Sequence, residues 1–468
     1  MKKNFKYAMM MATALVLGFS SCSSDDNDPI EGGGSHVVEG KVTKAEIRIS
    51  APATYSNTGT TAGALAEESE VTNVAILIYK GSGYLEKAEV ITSGITLDPT
   101  KKFYKVGSIE ATTGQKQVFV LVNAPTQYGK DKFETDFKTV DKLETLKQEL
   151  TVANLTTDEG FTMSSVVAPK EFKLLKEDGS TPNKINLEVS RLTAKFSVMS
   201  DISLNPDLTD GTISNLQFAV GQINKYTYLA QNKNLSGVVE DPNYNTDGKD
   251  ATQHTGVPTP TDYIGINSYK SNVDDIYKFD NVKYALENTN AIPYKGAVTY
   301  VAIQGKFVPK VVMYKENDKW EEGDATKLDN TGDFYKLKTS KGNRIFASQN
   351  AALEFAKDKL NKDFEGKPQE EKDKWVKDNI DFYEGGLTYY TVYPEQENGV
   401  NILRNSYHNI TIKSIKGLGD KKPGPQEKPD GETPDEETPV GVETSIEVEI
   451  TPLPWNFYTE EVDLEPQS

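Results

Sequence analysis

Two short runs, Val74-Ala75-Ile76-Leu77-Ile78-Tyr79 and Val118-Phe119-Val120-Leu121-Val122, are apolar throughout and rich in β-branched residues. Such runs suit central strands of a β-sandwich. Asn123-Ala124-Pro125 ends the second, because proline cannot donate to a ladder. Ala45, Ile47 and Ile49 alternate with Glu46, Arg48 and Ser50, the period-two signature of a strand with one buried face. Further strands are predicted at 185–189, 192–198, 216–220, 299–303, 387–393 and 408–415. Phe137, Val140, Leu143, Leu146 and Leu150 recur at helical spacing and predict one amphipathic helix lying on a sheet. A second helix is predicted over Asn350–Leu360, and a third over Lys367–Lys377 with Trp375 as its apolar anchor. The fold class is therefore all-β with a few short helices. A boundary near Lys184 separates an N-terminal β-sandwich domain (41–184) from a C-terminal one (185–416).

The segments outside these cores have different chemistry. Lys2, Lys3 and Lys6 precede the apolar run Ala8–Gly18, the layout of a secretory signal peptide over residues 1–21. The sole cysteine, Cys22, follows Phe19-Ser20-Ser21, and this placement predicts lipidation of its thiol. Residues 22–40 read as an acidic, Gly-rich lipidated tether. With one cysteine no intrachain disulfide can form, so stability must come from core burial. A net charge of −18 argues against nucleic acid as a partner, because phosphate binding needs clustered Lys and Arg. Residues 417–440 are Pro-, Gly- and acid-rich and are expected to be extended and solvated. The tail 441–468 then carries a lone strand pattern, Ile446, Val448 and Ile450 alternating with Glu447, Glu449 and Thr451, followed by Pro452, Pro454 and Trp455. A lone tethered strand is not stable by itself. It must fold back onto its own chain or add to the sheet of another.

Enzyme signatures are thin, and neither catalysis nor a cofactor is expected. None of the histidines, His36, His254 and His408, forms a metal-spaced pair. Ser406 and His408 share a strand face without an evident orienting acid. Asn243–Gly248 resembles a calcium loop faintly but lacks the first Asp and the twelfth-position Glu, so it reads as a turn rich in Asx residues. Asp274, Asp275 and Asp280 read as solvated turn residues.

The stretches 74–79, 118–123, Gly160–Ser164, Val189–Lys195, Tyr300–Pro309, Tyr383–Tyr390, Arg404–Gly419 and Val448–Leu464, with Pro454-Trp455-Asn456, resemble the Bacteroidales type V fimbrial subunits. This is the fimbrillin family, and the resemblance is in particular to the major-subunit group of the minor fimbriae. It implies two transthyretin-like Greek-key β-sandwich domains and export as a lipoprotein to the outer membrane and cell surface. It also implies that a trypsin-like protease removes the first strand, and that the groove accepts the C-terminal strand of another copy or of a related subunit. Mapped here, the removable strand is Ala45–Ser50 and the donor strand Ser445–Thr451, with Ile446, Val448, Ile450 and Trp455 as anchors. The loop Ala51–Val71 departs from the family pattern, because it contains no Arg and no Lys. Arg48 inside the strand and Gly63-Ala64 in the loop are the candidate processing positions. An uncut, lipid-bearing subunit would act as the base anchor. The alternative outside polymerisation is a monomeric surface lipoprotein that binds host glycans or proteins.

Overall fold

The computed structural model describes residues 39–51, 66–98, 103–166, 170–174, 183–203, 206–245, 252–276, 279–394, 400–425 and 446–454, with 170–174 and 446–454 described as backbone. The first strands are β1 (Val42–Ser50), β2 (Val74–Lys80), β3 (Leu85–Ile91), β4 (Thr96–Asp98), β5 (Phe103–Thr112) and β6 (Gly114–Val122). Two short helices follow, α1 (Lys130–Asp136) and α2 (Lys142–Thr145), then β7 (Met163–Ser165) and β8 (Asn183–Arg191). They form one sheet in the order β3-β2-β6-β7-β8-β1-β5-β4. Lys170–Leu174 pairs with β6 outside this path.

The apolar runs are explained by burial on both faces. Val74, Ile76 and Ile78 of β2, with Val118, Val120 and Val122 of β6, meet Ala45, Ile47, Ile49, Ile185 and Leu187 in one core. Ala75, Leu77, Tyr79, Phe119 and Leu121 point the other way, against Phe133, Phe137, Leu143 and Leu150. The single helix expected over 137–150 is not formed. α1 ends at Phe137, and Val140 N–H bonds instead to the Gly83 carbonyl, beside a bridge between Tyr84 and Thr139. The expected apolar face exists, but two short helices and a stretch of irregular chain supply it.

The second group comprises β9 (Thr193–Ser200), β10 (Gly211–Gly221), β11 (Lys283–Leu286), β12 (Tyr300–Pro309), β13 (Leu387–Val392), β14 (Ser406–Ile415) and β15 (Ile446–Pro454). β9 lies parallel to β14 and antiparallel to β11, whereas β10, β12 and β13 form a second sheet. Phe196, Val198, Ile410 and Ile412 of one sheet pack on Phe218, Val301, Ile303 and Tyr390 of the other. A small five-stranded sheet within 312–383 carries α3 (Gln349–Leu360) and α4 (Gln369–Asn379), close to the two expected helices. The Ser348 hydroxyl caps α3 by accepting from Ala351 N–H, and Ala352, Phe355 and Ala356 face the small sheet. Sheet membership changes at Leu192 and not at Lys184, because β8 pairs with β7 and β1 whereas β9 pairs with β14.

Candidate functional site

β1 is an interior strand. It runs parallel to β8, from Ala45 opposite Asn183 to Ser50 opposite Glu188, and antiparallel to β5, from Val42 opposite Thr112 to Ile49 opposite Tyr104. A bulge between Ile47 and Arg48 is met on β5 by Gly107, whose φ of +114° favours glycine. Ala45, Ile47 and Ile49 are fully buried. Burial of side chains the size of Ile47 and Ile49 stabilises by about 1.5–3 kcal/mol each. Were β1 to leave, β5 and β8 would stand two strand spacings apart, roughly 10 Å, with their facing N–H and C=O groups unpaired. The vacancy would have a polar backbone on both sides and an apolar floor, which is what a second amphipathic strand can fill.

Arg48 sits within this ladder. Its Nε donates to Glu46 Oε1 at 2.6 Å and its guanidinium lies 4.9 Å from the Phe103 ring centre. Its backbone is held between Asn186 and Lys105, a poor substrate for a protease. The other processing positions, Gly63 and Ala64, lie outside the described residues, as do Cys22 and Trp455.

The C-terminal strand is docked on its own chain. β15 pairs antiparallel with β14, from Ile415 opposite Ile446 to Ser406 opposite Pro454. Ile450, Val448 and Ile446 stand in register with Ile410, Ile412 and Ile415. The β1 position and the donor candidates therefore belong to different sheets and are not brought together.

The stretch expected to be solvated from Gly417 onward begins as a bound strap. The Tyr390 and Tyr383 hydroxyls donate to the Gly417 and Gly419 carbonyls at 2.7 and 2.9 Å. Asp420 and Tyr389 exchange both backbone hydrogen bonds at 2.8 and 2.9 Å. Lys421 Nζ reaches Asp381 Oδ1 at 3.0 Å. Burial alone would raise the Asp381 carboxyl, but Lys336, Lys421 and Lys338 together hold it below the usual carboxylate range. Gly419 is needed here, since a Cβ would fall 2.3 Å from the Tyr389 carbonyl oxygen. Sequence reasoning missed this strap because its composition is that of a linker; the spacing of Gly417 and Gly419 was the available signal.

Of the remaining candidates, His408, His254 and Asn243 are interior. His408 Nε2 lies 2.8 Å from Ser406 Oγ, and its ring stacks on Phe196 at 4.8 Å. Burial lowers its pKa to about 4, so it is neutral near pH 7. His254 and Asn243 are also buried, and the Asn243 amide donates to Asn224 Oδ1. Asp241 accepts from Asn243 N–H at 2.6 Å and from the Thr289 hydroxyl at 3.0 Å, which packs the start of the Asx-rich stretch as a turn, whereas residues 246–248 lie outside the described residues. Asp280 is exposed.

A family model described as the major fimbrial subunit protein (FimA) matches residues 44–258. A second, described as major fimbrial subunit protein type IV, fimbrillin, C-terminal, matches residues 381–461. Among solved structures, a candidate cell adhesion protein from Parabacteroides distasonis is 12% identical with a TM-score of 0.45, and 90% of this chain and 99% of that one are covered. A counterpart from Bacteroides eggerthii is 14% identical with a TM-score of 0.43, covering 90% and 98%. A tip fimbrial protein from Porphyromonas gingivalis, solved with a C-terminal truncation, is 12% identical with a TM-score of 0.38, covering 87% and 99%.

Proposed function

Because the chain belongs to the fimbrillin family, a group of structural and non-enzymatic subunits of cell-surface fimbriae, we propose that it polymerises head to tail by donor-strand addition. The observation that carries this reading is the interior position of β1, paired on both edges and buried on its apolar face. Its loss would leave a strand-shaped vacancy in the first sheet. Ile446, Val448 and Ile450 repeat the period of Ala45, Ile47 and Ile49, so the tail of a neighbouring subunit matches that vacancy. Residues 426–445 separate β15 from the strap, and fully extended they would reach about 70 Å. For β15 to act in trans it must first leave β14. We further propose that Cys22 carries a lipid that holds the chain at the outer membrane, and that the subunits support adhesion.

The test uses full-length protein with a specific protease site introduced into the loop 52–65. After cleavage, head-to-tail oligomers are expected by size-exclusion chromatography with light scattering. Deleting Glu443–Ser468 is expected to abolish them while both sandwiches stay folded. Equal assembly with and without the tail would remove the mechanism.

A second reading has its own support. The loop Ala51–Val71 has no Arg or Lys, and Arg48 is held in the ladder. A chain that keeps β1 and its lipid would serve as the base anchor and end the polymer. N-terminal sequencing of the surface form separates the two: a start near Ala64 supports the stalk role, a lipid-blocked Cys22 the anchor.

A further inference from the structure

Glu68 ends the short 3-10 turn Ala66–Glu68, directly after the loop 52–65, and it is fully buried. Its Oε1 accepts from Lys195 Nζ and from the Tyr284 hydroxyl, each at 2.7 Å. Its backbone carbonyl accepts from Arg191 Nε at 2.6 Å, and Arg191 Nη1 donates to Asn405 Oδ1 at 3.3 Å. Arg191 ends β8 and Lys195 lies in β9, so the two fully buried cations stand on either side of the one-residue link Leu192. Tyr284 belongs to β11, and the Lys195 ammonium also lies 5.1 Å from the Tyr407 ring centre on β14. The Glu68 carboxylate therefore stands where the first sandwich meets the second.

The chain beyond Glu68 is tied down step by step. The Ser69 carbonyl accepts from the Tyr104 hydroxyl at 3.3 Å, and the Glu70 carbonyl from Asn123 Nδ2 at 2.6 Å. Asn123 Oδ1 in turn accepts from Thr72 N–H at 2.9 Å and from its hydroxyl at 3.1 Å. Ala124 N–H closes the series on Asn73 Oδ1 at 3.0 Å. Removing the carboxylate would leave two cations in a low-dielectric site without this partner, the costly way to break a buried ion pair.

We propose that Glu68 is a latch that fastens residues 66–73 to both sandwiches, so that β1 can depart while the chain downstream of the loop and the junction of the sandwiches stay in place. The fastening stands on the geometry alone; its use during processing rests on the strand-exchange reading above. One consequence is that a productive cut must fall upstream of Ala66, a window that includes Gly63-Ala64 and excludes Glu68–Asn73.

The test is hydrogen exchange on the full chain, monomeric and at low concentration, with a specific protease site in place of residues 57–60. Wild type, Glu68→Gln and the milder Tyr284→Phe are compared cut and uncut. Cut wild type is expected to keep amide protection over 66–73 within about twofold of the uncut protein. Cut Glu68→Gln is expected to lose protection there by about tenfold or more, and Tyr284→Phe by an intermediate factor. Loss of protection in cut wild type, or full protection in cut Glu68→Gln, would overturn the latch. Should Glu68→Gln not fold, unchanged exchange in cut Tyr284→Phe overturns it equally. Because exchange is read on monomers, a cut chain that stays protected yet never assembles refutes strand exchange and not the latch.

Discussion

At the scale of single residues, burial decides which polar groups matter. His408 carries the clearest pH signature, because it is packed under Phe196 in β14 and its folded pKa is depressed to about 4. The unfolded chain takes up that proton near pH 6.5, whereas the folded chain resists it. His408 therefore contributes stability that is complete above about pH 6.5 and lost as pH falls toward about 4, by on the order of 3 kcal/mol. Denaturant midpoints measured across this range should fall in the wild type, and His408→Gln should flatten the slope; an unchanged slope would contradict the assignment. Glu68 illustrates what sequence could not reveal. It lies among Glu67 and Glu70, and no pattern marks which of the three acids enters the core. The buried partners Arg191 and Lys195 were visible only as members of a family-like stretch.

At the scale of elements, the strands were readable and their surroundings were not. β2 and β6 could be recognised because burial on both faces leaves no polar position over 74–79 and 118–122. The stripe from Phe137 to Leu150 reads as one helix because a chain laid against a sheet by two short helices and a turn has the same apolar spacing. The change of sheet is hidden in the sequence because β8 and β9 are consecutive yet enter different sheets through Leu192. The strap from Gly417 was hidden by its composition, since its fixing depends on distant tyrosine hydroxyls. Its weight can be measured by comparing truncation after Pro425 with truncation after Lys416. Both lack β15, so their difference isolates the strap. The longer chain should be more stable to urea by on the order of 3 kcal/mol, given several hydrogen bonds of about 0.5–1.5 kcal/mol each. Equal stability would show that the Tyr383, Tyr389 and Tyr390 contacts carry no weight.

At the scale of the whole molecule, two places among the described residues suit an amphipathic strand: the β1 position between β5 and β8, and the side of β14 on which β15 lies. A peptide spanning residues 443–458 should therefore bind a chain lacking 426–468 at one site while β1 is in place, and at two sites once the loop is cut and β1 removed. Calorimetric stoichiometry reads this directly. One site in both forms would exclude the first sheet as an acceptor, and no site in the uncut form would exclude docking on β14. The short link at Leu192 has a mechanical consequence for the polymer proposed above. Tension entering a subunit through a strand seated beside β8 would pass into β9 with no slack chain to pay out. From β9 it would spread to its parallel neighbour β14, then through the backbone to the strap. The transfers between neighbouring strands load rows of hydrogen bonds lengthwise, in shear, the geometry in which many must break together before the fibre extends.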